Sequence, residues 1–360
     1  MDSKRILCVI ESLESGGAQR QLIGLAHLFK DNDYSPKIIT YYSALFYKDE
    51  VIGRGLEYEC LGNVRNKLLR FFLLLKTIRR EKPYGVISYS YSSSMILCMI
   101  RLFAKFKLIV SERNTSVSYT LRDKIKFNCF RLSDAVVANS NSQSSFINQH
   151  AGFLSKKTHT ITNYVDCTAF KPRNIEKTEF RTNTLIGVGR IVPQKNIVIL
   201  IKALGILRRK NILVNVDWYG SVNKEYHDLC VKTIKEEQVE DVFAFKKVDK
   251  NIKDTYGKYE ALCLPSIYEG FPNVICEAMS CGLPILCGNV CDNGVIVENG
   301  KNGLLFDPTD INSICDSISH FVNMTDEEKK EISLSNRQKA LVLFSKDVFI
   351  KKYIDLIEQL

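Results

Sequence analysis

Two glutamates and two bases in the second half of the chain have types and spacings that suit them to hold an anionic, hydroxyl-rich ligand. Glu269 and Glu277 stand with seven residues between them in the stretch from Leu264 to Pro284. That stretch reads as the end of a buried strand, a tight loop and a short helix over about 272–281. Pro272 suits a first helical turn, where its missing N–H would be unpaired anyway, and Gly282 followed by Pro284 is a stop signal. Val274, Ile275, Ala278, Met279 and Cys281 make this helix apolar almost all round, so it should be buried. Glu277 is its only charge, and a buried carboxylate is costly unless it finds donors, for which sugar or ribose hydroxyls are candidates. Glu269 precedes Gly270, which lets backbone approach a ligand, and the first-turn N–H groups with the helix dipole suit an anion such as a diphosphate. A plainer reading makes one glutamate a loop residue and the other a helix residue paired to a lysine. Arg190 and Lys195 lie in the loop of a strand, loop and helix that run from Thr184 to Arg209. Two cations at the mouth of a parallel sheet suit a diphosphate, arginine with planar paired donors and lysine as a mobile point charge.

The string Glu-Gly-Phe-Pro-Asn-Val-Ile-Cys-Glu-Ala-Met, residues 269–279, resembles the double-glutamate signature of glycosyltransferase family 4, retaining enzymes of GT-B fold. The resemblance extends to the Gly16–Gly17 pair, to the hinge string Ile161-Thr-Asn-Tyr-Val-Asp166 with Phe170-Lys-Pro172, and to the Arg190 and Lys195 loop, in the family's order. It implies an α/β chain of two Rossmann-like doubly wound domains facing an interdomain cleft. The expected domains are 1–170, binding the acceptor, and 171–344, binding the nucleotide sugar, with a helix over 345–360 crossing back to the first.

Along the chain, apolar runs alternate with helical periods, the pattern of parallel sheets. Strands are expected at Ile6–Ile10, Lys37–Tyr42, Gly85–Ser90, Leu108–Ser111 and Ala135–Ala138, with a helix from Ala18 to Lys30. In the second half, strands are expected at Asn215–Ser221, Val242–Lys247, Pro284–Cys287 and Leu304–Asp307, with helices at Ile197–Arg209 and Lys346–Leu360. The strand ending in Val110-Ser-Glu-Arg-Asn114 places Arg113 where many family members have a sugar-contacting histidine. Glu112 and Arg113 read equally well as a solvated loop pair. Asn139-Ser140 resembles the family's next strand end, and Gly220 its nucleotide-side turn. Lys246-Lys247 replaces a usual glycine.

A length of 360 residues and 45% hydrophobic composition support two domains with sizeable cores. The short N-terminal apolar run and the charge-interrupted runs elsewhere give no signal segment or membrane span, so the expected location is cytoplasmic. Scattered cysteines, with no histidine near Cys276, Cys281, Cys287 and Cys291, read as packing thiols rather than zinc ligands. Asp31-Asn-Asp33 reads as a solvated loop. The net charge is +10, and all of the excess lies before residue 170. The glycine and aromatic pattern of an RNA-binding module is absent, so no nucleic-acid partner is expected and an anionic membrane surface is favoured. On a helix spanning 65–80, Leu68, Phe71, Leu74, Leu75 and Ile78 form the expected inner face and Arg65, Lys76, Arg79 and Arg80 the outer one. Leu69, Phe72 and Leu73 lie close to those bases, as on an interfacial helix, and Thr120–Arg131 with Arg122, Lys124 and Lys126 would extend the patch. A core helix with a basic outer edge is the competing reading.

The resemblance implies retaining, metal-independent transfer of a hexose from a nucleotide-diphosphate donor, with UDP as the expected nucleotide. The implied acceptor is a lipid-diphosphate-linked oligosaccharide for surface polysaccharide such as O-antigen, lipopolysaccharide or capsule, reached from the inner face of the membrane. Catalytic candidates are Glu269, Arg190, Lys195 and Arg113. Donor-binding candidates add Gly16, Gly17, Gly220, Gly270, Phe271, Pro272, Asn273, Val274 and Glu277, and no cofactor is implied. A sugar-nucleotide epimerase on the same fold and a silent binding module are the alternatives.

Overall fold

A computed structural model describes residues 4–14, 16–43, 46–113, 118–172, 183–249 and 251–360. Asn114 and the polar segment 173–182 lie outside them. The chain forms two compact units, Met1–Tyr164 with Lys346–Leu360, and Val165–Ser345.

The strands of the first unit are β1 (Arg5–Val9), β2 (Ser35–Thr40), β3 (Glu57–Cys60), β4 (Gly85–Ser88), β5 (Lys107–Glu112), β6 (Ala135–Ala138) and β7 (Thr158–Thr160). They pair in parallel in the order β3-β2-β1-β4-β5-β6-β7. Its helices are α1 (Gly17–Asp31), α2 (Lys48–Gly53), α3 (Lys67–Glu81), α4 (Tyr91–Ile100), α5 (Leu121–Phe130) and α6 (Asn141–His150). Strands covered on both faces need apolar residues at successive positions, and β1 supplies them: Ile6 and Cys8 enter one core, Leu7 and Val9 the other. The last helix of the chain, Lys346–Gln359, packs on α1 in the first of these cores. The Tyr353 and Tyr89 hydroxyls meet at 3.0 Å, and Lys107 donates to the Ile357 carbonyl.

The 65–80 segment departs from its expected faces. The helix begins after Asn66, whose side chain accepts from Leu68 N and Leu69 N. Its inner arc is Arg70, Leu74, Leu75, Thr77 and Ile78, whereas Leu68 is exposed. Arg70 turns inward because the two terminal nitrogens of its guanidinium find acceptors there: they donate to Ser92 Oγ, Tyr42 Oη and the Val64 carbonyl, and the group stacks on Tyr41 at 3.8 Å. One of the expected outer bases, and one of those expected to extend the patch, are otherwise engaged. Arg80 pairs with Glu59 and Glu81, and Lys126 is buried against Glu112 at 2.7 Å and Asp123 at 3.1 Å. Glu112 is therefore no solvated loop residue.

The second unit contains β8 (Thr184–Val188), β9 (Asn215–Tyr219), β10 (Phe243–Lys246), β11 (Ala261–Leu264), β12 (Ile285–Gly288) and β13 (Gly303–Phe306), parallel in the order β10-β9-β8-β11-β12-β13. Its helices are α7 (Ile197–Arg209), α8 (Lys224–Glu236), α9 (Ile252–Thr255), α10 (Asn273–Ser280), α11 (Asn293–Ile296), α12 (Ile311–Asn323) and α13 (Asp326–Leu343), and the terminal helix of the first unit is then α14. Pro272 is the cap of α10 rather than its first residue. Arg337 of α13 fixes α10 by donating to the carbonyls of Ser280 and Phe170.

Both sheets reverse their winding once. In the first unit the reversal lies between β1 and β4, and in the second between β8 and β11. At such a point the loops leaving the carboxyl ends of the two strands diverge and leave a crevice for a ligand.

Candidate functional site

In the second unit the loops flanking the reversal carry the predicted residues. The loop after β8 holds Arg190 and Lys195, and the loop after β11 holds Glu269 and leads into α10. The two loops are tied together: Ile267 N donates to the Gln194 carbonyl at 3.0 Å, and Gln194 Nε2 donates to the Tyr268 carbonyl at 2.8 Å. Across this seam Lys195 Nζ meets Glu269 Oε1 at 2.5 Å, both side chains being largely buried. Arg190 is exposed in the same loop.

Asn196, next to Lys195, is left-handed at φ 56° and donates to the Pro308 carbonyl, which pins the end of the loop before α7 begins. Gly220 owes its identity to crowding, since a Cβ there would lie 1.8 Å from the Gly189 carbonyl oxygen. That same carbonyl accepts from the indole N–H of Trp218, the single tryptophan, so the loop before Arg190 rests on the end of β9.

Glu277 is buried on α10 and accepts from the Tyr256 hydroxyl at 3.1 Å. Tyr256 is therefore a partner that the expected ligand hydroxyls would join rather than precede. No side chain caps the start of α10. Asn273 and Val274 are partly exposed there, but Phe271 is packed in the core against Phe344, so its side chain is committed to packing. Pro272 is buried and Gly270 half-buried. The nearby thiols are apolar filler, with burial pushing Cys263 and Cys281 up to about 12.

In the first unit, Gly16 caps α1 with extended backbone and Gly17 is the helix's first residue, at the carboxyl end of β1 beside the winding reversal. Arg113 follows β5. Its guanidinium donates to Asn163 Oδ1 and lies 4.5 Å from the centre of the Tyr89 ring, and its carbonyl accepts from Asn139 Nδ2. Asn163 lies in the hinge string, where its sequence gives no sign of a contact with Arg113, and the Ser140 hydroxyl just after β6 caps α6 by accepting from Gln143 N. Among the described residues no cluster of three or more His, Cys, Asp or Glu is placed to hold a metal ion, and no helix is long and apolar enough to cross a membrane.

Comparison with known proteins divides the chain in a similar way. The family described as Glycosyltransferase Family 4 matches residues 15–169, and that described as Glycosyl transferases group 1 matches residues 170–340. An uncharacterized glycosyltransferase of Haemophilus influenzae is 29% identical over 55% of this chain and 54% of its own length, so the chain spans about half of that relative. The N-acetylgalactosamine-N,N'-diacetylbacillosaminyl-diphospho-undecaprenol 4-alpha-N-acetylgalactosaminyltransferase of Campylobacter jejuni is 24% identical over 92% of both chains. Among solved structures, Anabaena Alr3699/HepE in complex with UDP and glucose superposes with a TM-score of 0.87 at 19% identity, covering 99% of this chain and 100% of that one.

Proposed function

Because the chain is a glycosyltransferase of GT-B fold related to the family 4 and group 1 enzymes, we propose that it transfers a hexose from a UDP-sugar to a lipid-diphosphate-linked oligosaccharide, with retention of anomeric configuration. The observation that carries the donor side is the Lys195–Glu269 contact at the winding reversal of the second unit, next to the exposed guanidinium of Arg190. A diphosphate entering there would take over the ammonium from the carboxylate. Lys195 and Arg190 would then neutralise the charge that builds on the leaving nucleotide, assisted by the N–H groups at the start of α10, so that electrostatic stabilisation is the main catalytic contribution. Glu269, released from the lysine, would accept from sugar hydroxyls, and Glu277 beside Tyr256 would accept from the ribose. The glycines at Gly16, Gly17, Gly220 and Gly270 would let backbone close on the donor, and Arg113 would contact the transferred sugar.

The acceptor class follows the Campylobacter relative, whose name specifies a diphospho-undecaprenol substrate. The first unit would bind that acceptor while resting peripherally on the inner face of an anionic membrane, as its excess of positive charge suggests. The test is transfer from UDP-hexoses to an undecaprenyl-diphosphate oligosaccharide, with the product anomer read by NMR and the assay repeated with chelator. Retained configuration and undiminished activity with chelator are expected. An inverted product, or a requirement for added metal, would overturn the mechanism.

A further inference from the structure

The sheet of the first unit separates two helix layers of different character. On the side of Ile6 and Cys8 lie α1 and α14, and on the side of Leu7 and Val9 lie α3, α4 and α5, with α3 packed on α4 and α4 on α5. The second layer turns large apolar side chains outward. Leu68 is 72% exposed and Phe72 62% on α3, Leu102 and Phe103 follow α4, and Leu121 at 73% joins Ile125 on α5. These belong together: Phe103 approaches the Phe71 ring at 5.7 Å, while its carbonyl lies 3.5 Å from Arg79 Nη2. Scattered exposed leucines need no explanation, but here Phe72, Phe71 and Phe103 form one aromatic cluster across α3 and the end of α4, and the neighbouring α5 adds Leu121 and Ile125 to the same layer, a concentration that marks an interaction surface. By contrast, α1 exposes no large apolar side chain.

Charge decides what the surface fits. Arg65, Lys76, Arg79, Lys105, Arg122 and Lys124 are not buried and border the apolar residues on the same segments. Between residues 61 and 134 the acidic side chains are Glu81, Glu112, Asp123 and Asp134, and each is already bound to a base: Glu81 to Arg5, Lys37 and Arg80, Glu112 and Asp123 to Lys126, and Asp134 to Arg101. The layer thus presents positive charge with its carboxylates internally spent. A hydrophobic patch ringed by bases is complementary to a lipid surface with anionic headgroups above an apolar boundary, rather than to a nucleic acid, which would leave the apolar residues idle, or to a neutral protein face, which would leave the bases unpaired.

Resting on the membrane-borne acceptor proposed above, we infer that the α3–α4–α5 layer is the membrane-docking face of this protein. Leu68, Phe72, Leu102, Phe103, Leu121 and Ile125 enter the headgroup boundary, and Arg65, Lys76, Arg79, Lys105, Arg122 and Lys124 pair with lipid phosphates. Docking through α3–α5 leaves the α1 and α14 layer of the same sheet facing away from the lipid.

The experiment is sedimentation of the full chain with vesicles that contain neither acceptor nor donor, composed of phosphatidylcholine alone or with 30% phosphatidylglycerol, a composition chosen to be about that of a strongly anionic leaflet. Binding to the anionic vesicles that weakens with salt is expected. A Leu68→Ser, Phe72→Ser, Leu121→Ser variant and a Lys76→Gln, Arg79→Gln, Lys124→Gln variant should each lose about tenfold or more in partitioning. Both should keep the thermal shift produced by UDP, which shows them folded and separates failure of docking from failure of the donor site. Equal binding to neutral and anionic vesicles, no binding at low salt, or binding unchanged in either variant would overturn the assignment. So would concentration-dependent self-association that the serine variant abolishes, because the face would then cover a second copy of the chain.

Discussion

A lysine and a buried glutamate meet near the carboxyl end of a strand in both units, the lysine buried in the first and partly exposed in the second, and the two pairs are built for different purposes. In the first unit Glu112 is the last residue of β5 and Lys126 sits on α5, so both ends are set by regular elements. A second carboxylate, Asp123, closes on the same ammonium, and the Phe127 ring lies 4.6 Å from it. Burial still pushes the Glu112 carboxyl up, against the opposing effect of Lys126. In the second unit both partners come from loops that diverge at the winding reversal, with an exposed arginine and an uncapped helix start beside them. The chemistry of the contact is the same, but the first pair is held between a strand end and a helix with a second carboxylate on the same ammonium, while the second lies between two loops where an incoming anion can compete for the lysine. A buried ion pair is weak evidence for stability and stronger evidence for placement, and the placement is what differs.

The largest expected effect tests the first pair. Lys126→Ala leaves Glu112 buried without its cation and should lower unfolding free energy by about 3–5 kcal/mol, read as a shift in the urea midpoint. Replacing both partners together, Lys126→Met with Glu112→Leu, should recover most of that loss. A single variant as stable as the wild type would show that this pair is no more structural than the other, and the contrast would collapse.

The next effect tests the second pair. Lys195→Ala or Arg190→Ala should weaken UDP binding by about ten- to a hundredfold, or roughly 1.5–3 kcal/mol, for loss of one charge-assisted contact. Glu269→Gln should do the opposite to the bare nucleotide, since it frees the ammonium, and it should abolish transfer by removing an acceptor for sugar hydroxyls. Calorimetry gives the affinities. The buried indole of Trp218, bonded to the Gly189 carbonyl next to Arg190, offers a fluorescence signal for the same loop. If Glu269→Gln weakens UDP binding as much as Lys195→Ala does, the carboxylate supports the lysine rather than competing for it, and exchange at the pair is wrong.

The sequence and the structure agree best where burial is complete. Interior strands carry short continuous apolar stretches, Ile6–Val9 in β1, Leu108–Val110 in β5, Ala135–Ala138 in β6 and Ala261–Leu264 in β11, and α7 falls at Ile197–Arg209 as its period predicts. The edge strands of the first sheet were harder to see. β3 is Glu-Tyr-Glu-Cys and β7 is Thr-His-Thr, paired on one side only and correspondingly polar. The candidate residues of the second unit were legible because they cluster in two short strings, but the contact between Lys195 and Glu269 joins positions 74 apart in sequence and depends on the strand order. Buried charge was the blind spot. Arg70 and Lys126 look like surface bases in any amphipathic pattern, and only their partners, Tyr41, Tyr42, Ser92, Glu112 and Asp123, explain their position.

The smallest expected effect concerns charges at the opposite, amino edge of the first sheet, where pairing is neither sealed nor exchangeable. Glu81, at the end of α3, accepts from Arg5 at 2.8 Å, Lys37 at 2.9 Å and Arg80 at 3.0 Å. Burial tends to raise its carboxyl, but the bonds from Lys37, Arg5 and Arg80 outweigh it and hold the group down at about 2. A carboxylate with a lowered folded pKa favours the folded state above its unfolded value of about 4.5, and loses that contribution as pH falls through about 2. Discounted for solvent access, the contribution at neutral pH is on the order of 1–2 kcal/mol. Glu81→Gln should therefore be less stable than the wild type at pH 7, by less than Lys126→Ala, and the difference should shrink steadily between pH 4.5 and 2. Thermal unfolding of the two proteins across that range makes the comparison. A gap that stays constant as the carboxylate is protonated would mean that Glu81 acts through packing, leaving the Lys126 and Lys195 pairs as the informative contrast of charge placement in the molecule.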